Sequence, residues 1–303
     1  MKLFSKLTLF AMTLNSLLLA PIQSRAELGE FRVILGPEPT FEQPVSQLAT
    51  ENQFYSPKFQ FWCSQLHEPF AFHRKLWEYC YVSQVLEYFD MLKPGKSALG
   101  FGVGLEPLPA LFASYGVRVM ATDQDFKHAQ NQGWASTAQY ATEKNTLNSR
   151  NICDPYQFAQ LVDLQTADMN HIDPNLTGYD FVWSCCSLEH LGNLETGLEF
   201  IKNSLKCLKP GGIAVHTTEF NLSSYDDTLN SGIVVIYRYQ DIFRLAKELT
   251  QMGYEVIDLN LNNGLGALDT YYDLPPYKQD PHIKLQINKF ICTSIGIIVR
   301  KPL

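Results

Sequence analysis

From Phe72 to Leu92 apolar side chains return every three or four positions, at Leu76, Tyr79, Val82, Leu86, Phe89 and Leu92, until Pro94-Gly95 breaks the series. That spacing predicts an amphipathic helix. Next come a short apolar run at 97–101, a helical segment from Pro107 to Tyr115 closed by Gly116, and a β-branched run at 117–121 that ends on Asp123. These read as strand, helix and strand. Further strands are predicted at 161–166, 179–184, 213–217, 254–259 and 287–299. Helices are predicted where Leu188, Leu191, Leu194, Leu198, Ile201 and Leu205, and later Ile242, Leu245, Leu249 and Met252, share one face. Strands alternating with helices in this way predict an α/β fold with a mostly parallel sheet, helices on both faces, and ligands outside the carboxyl ends of the strands. The loop at 261–285 has no helical period, so the last two strands are expected to pair antiparallel.

Ahead of this domain, residues 27–71 hold five prolines and no sustained period, which predicts an irregular arm laid over a single domain at 72–303. Residues 1–26 place Lys2 and Lys6 before an apolar stretch from Leu7 to Ala20, with Ser24-Arg25-Ala26 after it. The segment reads as an export signal or a dispensable extension, and it is too short to stay as a membrane span. Composition narrows the function classes. Aromatic residues at 13% and charged residues at 18% are those of a folded chain, and a net charge of −7 opposes binding to a phosphate backbone. No nucleic-acid partner is expected. Seven cysteines without a CxxC spacing suggest reduced thiols, not a disulfide framework or a zinc site.

Chemistry is expected at the strand ends. The first is followed by Gly100, Gly102 and Gly104, which free the backbone for a tight turn and for close approach of a nucleotide-like ligand. A dinucleotide fingerprint needs a third glycine at 105 or 107, where leucine and proline stand. Asp123, 21 residues after Gly102, suits a ribose diol, and Asp168-Met169 offers an acceptor and a soft apolar contact to an adenine ring. Each aspartate alone also fits a turn or a helix cap.

With these features the chain resembles the class I S-adenosylmethionine-dependent methyltransferases over residues 72–300. The likeness rests on GFGVG at 100–104, ATD at 121–123, ADM at 167–169, YDFVWSCCSLEHL at 179–191 and LKPGGIAVHTTEFN at 208–221. It implies a Rossmann-like, seven-stranded sheet with an antiparallel last strand, S-adenosylmethionine as cofactor, and a cytoplasmic enzyme. The pattern departs from the family where its acidic residue falls on Gly100 and its third glycine on Glu106. Contact with the methionine ammonium group then comes from Glu106 or a backbone carbonyl, and Ser184 at the fourth strand completes the expected cofactor set.

The Glu189-His190 pair after that strand places the sequence with enzymes acting on small molecules or glycans. His190 is expected to act as base beside Glu189. A metal variant of the family holds its ion with a Glu-x-x-Glu-His cluster. Here the first acid is Cys186, with Glu219 or His216 as replacements, and no metal is expected. His73, Arg74 and Trp77 on the leading helix, with Tyr272 and Tyr277 in the long loop, are expected to contact the acceptor, although a solvated helix face also explains the first group. The rival reading is a non-catalytic relative that binds a partner protein.

Overall fold

The computed structural model describes residues 31–125, 140–141, 143–278 and 280–303, so the leader-like segment 1–26 lies outside the described residues. Strands β1 (Val33–Ile34) and β2 (Ser46–Leu48) come first, followed by α1 (Glu51–Phe54) and α2 (Pro57–Gln65). Helix α2 starts where it does because the Ser56 side chain accepts from the backbone N–H groups of Lys58 and Phe59 while Pro57 occupies the first turn. Helix α3 (Arg74–Tyr88) buries Leu76, Trp77, Tyr81, Val82 and Val85, and His73 caps it by accepting from the Lys75 N–H at 3.1 Å.

The central unit follows as β3 (Ser97–Phe101), α4 (Leu108–Ser114), β4 (Arg118–Asp123), α5 (Pro155–Leu161), β5 (Val162–Thr166), β6 (Tyr179–Cys185), α6 (Leu194–Ser204), β7 (Leu208–Asn221) and α7 (Tyr239–Gln251). Short strands β8 (Glu255–Val256), β9 (Leu259–Asn260) and β10 (Leu285–Ile287) lead to the long β11 (Phe290–Arg300). All join one sheet, in the order β1-β9-β2-β11-β7-β6-β3-β4-β5, with β8 and β10 also pairing to β11. The pairs among β3 to β7 are parallel, and β11 runs antiparallel to β7 from Cys292 opposite Asn221 to Arg300 opposite Ile213. This is the mostly parallel Rossmann-like sheet with an antiparallel last strand that the sequence predicts, but it has eleven strands among the described residues where seven are expected, the added ones being short edge strands.

Both faces are covered. Phe181 and Trp183 of β6 enter the layer that contains Trp62, Trp77 and Phe112, whereas Val182 between them enters the layer of Leu198, Ile201 and Leu245. That two-residue alternation, with helices on either side, is why the strands read as nearly continuous apolar runs.

Three expectations need correcting. The arm at 27–71 is not irregular throughout: β2 pairs with β11 and with β9, and α2 packs Phe59 and Trp62 into the core. The helix expected from Leu188 begins at Leu194. A 3-10 turn, Leu188–His190, precedes it, and Gly192 at φ 100° and the Asn193 cap separate the two. The strand expected at 254–259 is two short strands.

Candidate functional site

Adjacent strands β3 and β6 send the chain away in opposite directions, the first towards β4 and the second towards β7, so the crevice above their carboxyl ends is the place this topology offers a ligand. Gly102 and Gly104 turn there with φ of 60° and 50°, a region that L side chains rarely adopt. A Cβ on Gly102 would also stand 2.8 Å from Ser187 Cβ, at the end of β6, and 3.4 Å from Met169 Sδ, after β5. Three loops therefore meet at this glycine. Asp123, at the end of β4, accepts the Gly104 N–H at 2.9 Å through Oδ2 and the Gln124 N–H at 2.8 Å through Oδ1. Each oxygen keeps a second lone pair. Burial pushes this carboxyl up, against the pull of both N–H groups. Asp168 is exposed, where it closes a turn by accepting from Asn170 N–H at 2.8 Å and bonds His171 Nδ1 at 2.9 Å.

Several expected cofactor contacts lie elsewhere. Gly100 backs onto the core, because a Cβ there would lie 2.3 Å from the Trp183 ring. Glu106 is buried and accepts the Trp183 Nε1–H at 2.5 Å, and burial raises its carboxyl to about 8. It is a protonated core acid, not a partner for an ammonium group. Ser184 is also buried, bonded at 2.8 Å to His216 Nδ1, whose Nε2 bonds Ser204 at 3.0 Å. Burial takes His216 down to about 3, a neutral core imidazole with both nitrogens engaged, so it replaces no metal ligand.

On the other side of the crevice the side chains crowd. The first turn of α3 lies over the ends of β6, β7 and β11, and the residues expected on a solvated helix face are instead drawn inward. Glu78 is fully buried; its Oε1 accepts from Arg74 (3.1 Å), Cys186 Sγ (2.9 Å) and Ser294 (2.5 Å), and its Oε2 from Lys75 (3.3 Å) and Thr217 (3.2 Å). Burial pushes the Glu78 carboxyl up, but Lys75 and Arg74 outweigh it and hold it below its usual value. Arg74 Nη2 also reaches Glu219 Oε1 at 2.5 Å, yet burial still lifts Glu219 to about 7. Arg74 Nε and Glu219 Oε2 are buried without a hydrogen-bond partner among the described residues. Trp77 points away from the site: it is buried, stacked on Tyr81 at 4.6 Å and bonded to Gln53 at 2.8 Å. Acceptor contact by Trp77 is therefore excluded in this fold.

Glu189 is buried and accepts from Thr218 at 3.0 Å. His190 is half-buried, and its Nδ1 meets the Ile233 carbonyl at 2.7 Å. A carbonyl only accepts, so Nδ1 carries the hydrogen of that bond. Ligand atoms of Cys186, Glu189 and Glu219 lie within 4.8 Å of one another, the grouping a metal would need. The guanidinium of Arg74, 3.4 Å from Cys186 Sγ and ion-paired with Glu219, already supplies a cation there. Cys186 itself sits at φ 47°, an uncommon backbone for a residue other than glycine, of the kind that clusters at functional sites. Tyr272 and Tyr277 are exposed on the long loop, the latter edge-on to His282 at 5.4 Å.

No protein-family model matches the chain, and no curated protein matches it. Three solved structures similar to it are described as methyltransferases. One is described as a sarcosine dimethylglycine methyltransferase from Galdieria sulphuraria (14% identity, 75% of this chain and 84% of that one, TM-score 0.44). Another is the glycopeptide N-methyltransferase MtfA (11%, 73% and 94%, TM-score 0.42). The third is CcbJ from Streptomyces caelestis (13%, 78% and 92%, TM-score 0.41).

Sequence reasoning missed the depth of Glu78 and the Arg74–Glu219 pair. The available signal was Thr217-Thr218-Glu219, polar residues late in β7 after the apolar run Ile213-Ala214-Val215.

Proposed function

We propose that this chain is an S-adenosylmethionine-dependent methyltransferase that methylates an oxygen of a small molecule or glycan, in the cytoplasm. The observation that carries the reading is the meeting of the Gly102–Gly104 turn, Asp123 and Met169 at the switch point between β3 and β6. This set fits an adenosine: Asp123 has lone pairs left for a ribose diol, Met169 offers an apolar edge for the ring, and the glycines keep side chains out of the crevice. When bound, the cofactor supplies a methyl group on a sulfonium centre.

The chain's own part is to position and to accept a proton. The crowded side of the crevice would hold the acceptor, since Arg74 Nε offers a donor and Glu219 Oε2 an acceptor that no described residue matches. Such a pair suits a polar group that both gives and receives a hydrogen bond, as a hydroxyl does. His190, beside Glu189 in the turn after β6, would serve as the base. Calorimetry with S-adenosylhomocysteine and with NAD tests the assignment: binding of the first in preference to the second is expected, and the reverse preference would reject it.

The packing of Gly100 against Trp183, where the family's acid would stand, favours a second reading: a partner-binding protein that keeps the fold without the transfer. Absence of any binding to S-adenosylmethionine or its product would select that one.

A further inference from the structure

The loop between β9 and β11 closes on the first turn of α3. It is held near its end by a fully buried ion pair, Lys284 Nζ to Asp269 Oδ1 at 3.1 Å. Inside the loop Asp273 is 1% exposed; its Oδ2 takes the Lys278 N–H at 2.8 Å and His282 Nδ1 at 2.6 Å. An ionised carboxylate accepts only, so Nδ1 of a neutral His282 carries the hydrogen and the lone pair lies on Nε2. No described residue bonds Nε2.

The ring is fixed on every other side. It stacks on His73 at 4.7 Å and 29°, Tyr277 meets it edge-on, and the backbone is tied by His282 N–H to Phe72 O (2.7 Å) and Arg74 N–H to His282 O (2.9 Å). From there the Arg74 side chain runs into the cluster of Glu78, Glu219 and Ser294, so this imidazole borders the crowded side of the crevice. His73 accepts the Lys75 N–H through Nδ1, so a neutral His73 carries its hydrogen on Nε2: the stacked pair then consists of one acceptor and one donor.

We propose that His282, oriented by Asp273, takes the proton from the acceptor hydroxyl in preference to His190, an inference that rests on the methyltransferase function proposed above. The O–H bond breaks as the proton joins Nε2, the oxygen's electron pair forms the bond to the methyl carbon, and the pair of the broken C–S bond stays on sulfur. His282 has behind it a buried carboxylate that stabilises the imidazolium once formed. Before the reaction, burial pushes His282 below its ordinary value, against the pull of Asp273 and with a further push from Arg74. His73 is driven to about 4 by burial, His282 and Arg74, so it stays a neutral donor. Asp273 of the loop and Arg74 of α3 are the charged groups that act on this ring, and His73 and Tyr277 pack against it.

The test needs no acceptor. With ¹⁵N-labelled histidine, the chain has seven histidine rings, and His282→Gln and His190→Gln identify two of them by the signals they remove. Titrations of the protein saturated with S-adenosylmethionine and with S-adenosylhomocysteine differ by one positive charge at the transferable methyl. A ring poised to receive the proton should show its midpoint lowered by at least about half a pH unit in the sulfonium complex. The lowering should be larger at His282 than at His190, and His282 should keep its hydrogen on Nδ1 in the neutral form. An equal midpoint in the two complexes, or a larger displacement at His190, would overturn the assignment. If calorimetry shows that neither ligand binds, it is the methyltransferase reading that fails.

Discussion

The two sides of the crevice are built by opposite means. On the side of β3, β4 and β5 the surface is made of backbone: two glycines in left-handed turns and a carboxylate that holds one of their N–H groups. On the side of β6, β7 and β11 it is made of side chains: three buried acids, two cations and the hydroxyls between them. Backbone can accommodate a ligand shared by many enzymes, because its donors and acceptors do not depend on residue type. Side chains can be varied to suit one acceptor. On the function proposed above, the first side would take the common cofactor and the second a particular substrate, and the second carries the heavier energetic cost of misassembly, since its charges are out of water.

Breaking that contrast should have its largest effect on the charged side. Arg74→Met leaves Glu78 and Glu219 without their shared cation and should cost about 3 to 5 kcal/mol of stability in urea unfolding, the usual loss when one partner of a buried pair is removed. Glu219→Gln should cost much less, because a carboxyl lifted to about 7 is already half-neutral at that pH. Equal losses for the two variants would show that the acids do not divide in this way.

On the backbone side the effect should appear in binding. Asp123→Ala should weaken S-adenosylhomocysteine by about 1.5 to 3 kcal/mol in calorimetry, the range for hydrogen bonds to a charged group. Unchanged affinity in a folded variant would remove Asp123 from the ribose.

A pH series sharpens the comparison further. Glu106, raised to about 8 by burial, binds its proton in the folded state and releases it in the unfolded state between its ordinary value near 4.5 and 8. Stability should therefore fall as pH rises from 6.5 to 8, by up to about 1.4 kcal/mol per unit from this group. The neutral imidazoles of His73 and His216, depressed to about 4 and about 3, act in the opposite direction but below 6.5, so they do not cancel it. Glu106→Gln should flatten the slope between 7 and 8, where Glu219 no longer contributes strongly; an unchanged slope would place the titration elsewhere.

The smallest effect is expected from Tyr277→Phe, which loses one hydrogen bond to the Gln286 carbonyl at an exposed site and should cost about 1 kcal/mol or less. A loss well above that would mean the hydroxyl bond to Gln286, and not only the loop's buried ion pair, holds this part of the loop in place.

The backbone side was readable from sequence because its devices are local: glycine at a turn, an aspartate at a strand end and a fixed interval between them. The mostly parallel sheet followed from alternation, and the antiparallel last strand from a loop with no helix in it. The charged side was not readable. Glu78 and Arg74 lie four residues apart on a helix, the ordinary spacing of a solvated pair, and only their distance from Ser294 and Thr217, contributed by strands far along the chain, turns them inward. Trp77 misled for the same reason: its polar neighbours face the crevice while it faces the core. Gly100 and Ser184 sit in strands, where alternation decides which face a residue takes, and a motif register does not convey that. The Asp273–His282 bond joins residues nine apart within an aperiodic loop, where no sequence rule fixes proximity.

The pairing of β2 with β11 sets the order in which the molecule can be finished. Leu48 lies opposite Ile295 and Gln47 opposite Gly296, so β2 finds this neighbour only after the long stretch of chain between them has been made. At roughly 5 to 20 residues per second, that interval is on the order of ten to fifty seconds of synthesis. Throughout it the growing chain carries an unpaired strand edge at one end of an incomplete sheet. Formation of β11 is thus the step that closes the seam.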